Sequence, residues 1–72
     1  MTLGELLKKK RKEKRMTQEC VADLFGWTSQ YYARYEKDQI IPTKYNYEKF
    51  AFFLGISTTK IAKIIEENND DH

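Results

Sequence analysis

The chain has 72 residues, 40% of them hydrophobic and 33% charged, with a formal net charge of +2. That length leaves room for one domain, so neither a two-domain enzyme nor a separate ligand-sensing domain is expected, while the apolar content is too high for a disordered chain. No apolar run approaches the roughly 18 residues of a membrane span, and Met1 to Leu7 lacks the pattern of a secretory leader, so neither is expected.

Helix signals dominate in chain order, and strand signals are missing. Thr2 with Glu5 three residues on predicts a capping box that opens a first helix through about Lys14, with Leu3, Leu6 and Leu7 as its apolar stripe. Thr17 caps a second helix, in which Cys20, Val21, Leu24 and Phe25 recur at helical spacing until Gly26 stops it. Thr28 caps a third helix, Ser29 to Glu36, only two residues later. Two short helices joined by a tight turn that contains glycine are the outline of a helix-turn-helix. Residues 38–43 form a loop ended by Pro42. Tyr47, Phe50, Ala51 and Leu54 define a fourth helix closed by Gly55, and Ser57 or Thr58 caps a fifth with Ile61, Ile64 and Ile65.

Charge is unevenly spread. Lys8 to Arg15 holds seven basic residues and one acid, whereas Glu66 to His72 holds four acids. A basic body with an acidic tail fits a polyanion partner; a solvated helix face and a soluble terminus would carry the same charges. The third helix sharpens the choice. At about 100° per residue, Ser29, Gln30, Ala33 and Arg34 share one small polar face, and Tyr31, Tyr32 and Tyr35 share the other. Gln can bond adenine at two atoms and Arg can do the same to guanine. Ser can donate or accept, and Ala can touch a thymine methyl.

Arg11, Thr17-Gln18, Ala22, Gly26, Thr28, Tyr32, Tyr35-Glu36, Pro42, Ala51 and Leu54-Gly55 together resemble the lambda-repressor/Cro type of helix-turn-helix regulator. The resemblance covers about residues 3 to 65 with no insertion or deletion. It implies an all-α, five-helix domain with the third helix as the recognition helix, over residues 1–65, followed by an acidic, disordered tail over 66–72. It further implies base reading by Ser29, Gln30, Ala33 and Arg34, and phosphate contacts from Gln18 and Tyr31, joined by Thr28 and Lys44. Ala22 resembles the small residue where the second and third helices cross. Arg11 and Glu36 resemble a buried ion pair tying the first helix to the end of the third.

Several positions depart from that pattern. Asp38 stands where glycine is usual, but Asp tolerates left-handed geometry. Lys10 replaces an apolar residue and either snorkels past the core or marks where the first helix stops packing. Trp27 is expected as a core plug in the turn. Lys44 also replaces an apolar residue, beside the loop that approaches DNA. Phe50, Phe52 and Phe53 cannot all be buried by one stripe, so at least one is expected on the surface or in an interface.

No enzyme site is expected. His72, the only histidine, lies in the tail; Asp70 and Asp71 read as solvated; Cys20 reads as core; and three glycines form no phosphate loop. No metal, cofactor, small-molecule effector or membrane partner is expected, and a lone cysteine fits a reducing, cytoplasmic setting. The function read from these residues is sequence-specific binding of double-stranded DNA by a transcriptional repressor. A homodimer on a near-palindromic operator is expected, because one recognition helix covers few base pairs. Phe52, Phe53, Ile56, Ile61, Ile64 and Ile65 are the candidate dimer surface; alternatively, the isoleucines pack on the first helix. Other readings are an antitoxin with autoregulatory DNA binding, or a protein-interaction module on the same fold.

Overall fold

The computed structural model describes residues 1–68 and contains five helices: α1 (Leu3–Glu13), α2 (Gln18–Phe25), α3 (Ser29–Glu36), α4 (Lys44–Leu54) and α5 (Thr58–Asn68). No strand occurs among the described residues. The helix starts follow local capping chemistry. Thr2 Oγ1 accepts from Glu5 N while Glu5 Oε1 accepts from Thr2 N, closing the box at α1. Thr17 and Thr28 accept from Cys20 N and Tyr31 N, and Ser57 accepts from Lys60 N before α5. At the end of α2, Gly26 takes a φ of 77°, which redirects the chain into the two-residue link before α3.

One core joins all five helices. Leu7, Val21, Tyr32, Phe50 and Ile61 are fully buried at its centre, and Leu3, Ala22, Phe25, Tyr35, Ala51, Phe53 and Ile64 complete it. Aromatic rings dominate the α2–α3–α4 side. Phe25 meets Phe50 and Phe53 edge-on at 5.6 and 5.7 Å between centroids. Trp27 plugs the turn between α2 and α3, stacked on Tyr35 at 5.2 Å. Lys49 Nζ lies 5.6 Å from the Trp27 ring centroid and donates to Phe25 O. Lys10 is half-buried and reaches Glu13 at 3.9 Å, its charge turned to solvent.

Two expected core positions lie outside. Cys20 is exposed and Leu24 is 65% exposed. Each precedes a core residue, Val21 and Phe25, and one residue turns an α-helix by about 100°, so α2 rotates both out of the core. The candidate dimer surface is also corrected. Phe53, Ile61 and Ile64 belong to the protomer's own core, Ile56 and Ile65 are half-buried against it, and Phe52 alone of the six is fully outward, at 89% exposure. The stripe of α5 is spent on the protomer's own core, which it shares with Leu3 and Leu7 of α1 and with Phe50 and Phe53 of α4. The expected tail is shortened as well. α5 continues through Glu66, Glu67 and Asn68, and Asn68 Nδ2 donates to Ile64 O at 2.8 Å and to Met1 O at 3.4 Å. The remainder of that tail, with Asp70, Asp71 and His72, lies outside the described residues.

Candidate nucleic-acid interface

α3 is oriented by its aromatic side. Tyr32 and Tyr35 are buried, 0% and 3% exposed, which turns Gln30 and Arg34 to solvent with Ser29 and Ala33 half-exposed beside them. Ser29 Oγ donates to Gln30 Oε1 at 3.4 Å, a long bond that leaves the Gln30 amide nitrogen unengaged. The polar face is therefore built without cost to the core, on a helix whose start is fixed by Thr28. Thr28 uses only an acceptor lone pair for that cap and keeps its hydroxyl proton.

A junction of three helices holds this face in place. Arg11 on α1 donates from Nε to Glu36 Oε2 at 2.7 Å and from Nη2 to Glu36 Oε1 at 3.3 Å. The side chains are 13% and 3% exposed. Arg11 Nη1 also donates to Met16 O, which ties down the link into α2. Gln18, the first residue of α2, donates from Nε2 to Glu36 Oε1 at 3.0 Å. Burial pushes the Glu36 carboxyl up, but the Arg11 hydrogen bonds, with Tyr32 and Gln18 beside it, outweigh burial and hold it below its ordinary value. The same bonds raise the Arg11 pKa. The buried Tyr32 hydroxyl makes no hydrogen bond, and burial pushes its pKa up.

A second junction links α3 to α4. Tyr31 and Tyr35 hydroxyls lie 2.8 Å apart, and Asn46 Nδ2 donates to Tyr35 Oη at 3.4 Å. Burial, and then the Tyr31 hydroxyl, push Tyr35 up to about 12. Asn46 belongs to the first turn of α4, so Lys44 in that turn is tied to α3. Lys44 is exposed, and Thr43 makes no side-chain cap, so the first N–H groups of α4 have no side-chain partner.

A helix-turn-helix family model matches residues 7–65 of this chain. The chain belongs to the helix-turn-helix family. The five-helix architecture of this helix-turn-helix protein is lambda-repressor-like, and the protein is a DNA-binding regulator of the helix-turn-helix type. Comparison with curated proteins found no match, and neither did comparison with solved structures. No helix among the described residues is long and apolar enough to cross a membrane.

The helix-turn-helix brings Ser29, Gln30, Ala33 and Arg34 onto one face and joins Arg11, Gln18 and Glu36 in one network. Of the seven bases from Lys8 to Arg15, Arg11 is structural and Lys10 is half-buried; the other five are exposed. Two parts of the site escaped the sequence reading. Asp38, at a φ of 57°, does more than tolerate left-handed geometry: Oδ2 accepts from Thr2 Oγ1 at 2.7 Å and Oδ1 from Gly4 N at 3.0 Å, so the end of α3 caps the start of α1. A Cβ at Gly4 would stand 2.5 Å from Glu36 O and 2.6 Å from Tyr35 O, so the glycine permits α1 to lie against the end of α3. A glycine inside a helical pattern was the available signal.

Proposed function

We propose that this helix-turn-helix protein is a sequence-specific transcriptional repressor that acts in the cytoplasm as a homodimer on a near-palindromic DNA operator. The observation that carries this reading is the outward polar face of α3, with Gln30 and Arg34 free to reach base edges while Tyr32 and Tyr35 anchor the opposite side. Ser29 and Ala33 keep the helix surface low enough for close approach to the bases. Phosphates are proposed to meet Lys44 and the uncapped start of α4, where a cation is otherwise disfavoured by the helix dipole. Thr28 has a hydroxyl proton to offer, and Gln18 has one N–H beyond its bond to Glu36. Asn46 donates to Tyr35 Oη, and when Tyr35 in turn donates to Tyr31 the Tyr31 proton is left for a phosphate oxygen as well.

Repression follows from occupancy of a promoter. The dimer reading rests on the few base pairs that one recognition helix covers, with Ile65 and the exposed Ile41, which line one shallow cleft, as its contact surface. The test is site selection from random DNA, followed by affinity on selected and scrambled duplexes. Gln30→Ala and Arg34→Ala are each expected to cost about 1–3 kcal/mol on the selected site with unchanged melting. Gln30→Ala should leave scrambled DNA nearly unaffected. Equal weakening on both duplexes would refute base reading by this face.

A further inference from the structure

A cleft of about 360 Å³ opens between the end of α1, the outer flank of α2 and α4. Phe25 and Phe53 form its floor, while Leu24 and Phe52 stand exposed on its rim. No residue of α3 lines it, so occupation does not compete with base reading. Leu24 and Phe52 both line this cleft and both stand at solvent outside the core, and apolar surface placed in this way marks an interaction site.

The charges on the cleft decide its occupant. Its charged lining groups are Lys14 and Lys49. Both cations are held along the aromatic floor: Lys14 Nζ is 5.8 Å from the Phe53 ring centroid, and Lys49 Nζ donates to Phe25 O at 3.0 Å. A second copy meeting this cleft with its own cleft about a two-fold axis would add two more lysines to one small contact and no carboxylate from the lining. A partner that fills the cleft and satisfies its rim therefore carries apolar side chains flanked by carboxylates. A peptide that binds as an added strand needs a sheet edge, and the described residues contain none; an amphipathic helix needs only a groove between helices for its apolar face.

We propose that the cleft bounded by Leu24 and Phe52 docks an acidic amphipathic helix of another protein, with carboxylates meeting Lys14 and Lys49. This goes beyond DNA binding and does not depend on it. The probe is a designed helical peptide of about four turns, with Leu on one face at helical spacing and Glu on both flanks, beside a version with Lys for every Glu. Binding is followed by amide chemical-shift mapping on the full chain. The Glu peptide is expected to shift amides around Leu24 and Phe52 and to bind at least about tenfold more tightly than the Lys peptide. Phe52→Ser should weaken it by about tenfold with unchanged melting, and Lys14→Glu should reverse the preference between peptides. Equal affinity for both peptides, no binding, or shifts confined to α3 would overturn the proposal. So would concentration-dependent self-association lost in Phe52→Ser, which would give the cleft to a second copy.

Discussion

Replacing Arg11 by alanine tests the three-helix junction most directly. The substitution removes both hydrogen bonds to Glu36 and the one to Met16 O, and leaves a carboxylate of 3% exposure with only Gln18 as a hydrogen-bond donor. Stranding one member of a buried ion pair costs about 3–5 kcal/mol. In a domain of this size each kcal/mol lowers the melting temperature by roughly 4–8 °C, so the loss at neutral pH is on the order of 12 °C or more. Acid gives the reasoning a second handle. In the parent, burial raises the Glu36 carboxyl but the Arg11 hydrogen bonds outweigh it and hold the carboxyl below its ordinary value, so the pair's stabilisation is complete above the ordinary carboxylate range and is lost as pH falls through the folded pKa. Without Arg11, burial is opposed only by the Gln18 hydrogen bond, and the carboxyl titrates higher than in the parent. Protonation then relieves the variant at a pH where the parent still holds its ion pair, and the parent gains nothing from the same proton, so the gap between the two narrows as pH falls. Thermal unfolding followed by circular dichroism at neutral pH and at about pH 4 measures both effects. Melting within about 3 °C of the parent at neutral pH, or a gap that stays constant on acidification, would refute the account.

Gly4→Ala is expected to destabilise by about 1–3 kcal/mol despite the better helix propensity of alanine, because the new methyl meets backbone oxygens at 2.5 and 2.6 Å; a melting curve checks the sign. Tyr32→Ala empties a fully buried position and should cost about 3–5 kcal/mol, leaving a largely unfolded chain by circular dichroism. Lys44→Ala should leave melting unchanged and lower the slope of affinity against salt by about one unit, read by titrating DNA at several salt concentrations. Light scattering of the DNA complex should find two chains per site, with recognition helices about 34 Å apart; one chain per selected site would remove the dimer.

The helix pattern was legible because its causes are local. Threonine caps, the capping box at Thr2 and the left-handed glycine after α2 act within a few residues, and α1, α2 and α3 begin, and α2 ends, where those signals stand. The polar face of α3 was legible for the same reason, since a fixed turn per residue separates Gln30 and Arg34 from Tyr32 and Tyr35. Tertiary packing decided the rest. An eight-residue helix offers several rotations that bury some of its apolar residues, and the packing of α2 on α3 and of Phe25 on Phe50 and Phe53 of α4 selected Val21 and Phe25 over Cys20 and Leu24. The isoleucines of α5 were ambiguous in sequence because the stripe that covers α1 has the same spacing as one that meets a second copy. Contacts between distant residues carried no local signal at all. Asp38 caps a helix 34 residues away in sequence, Gln18 joins the ion pair of α1 and α3, and Gly4 makes room for a carbonyl at the end of another helix. Such groups are specified by where the helices cross, and the crossing is set by the volume of the whole core.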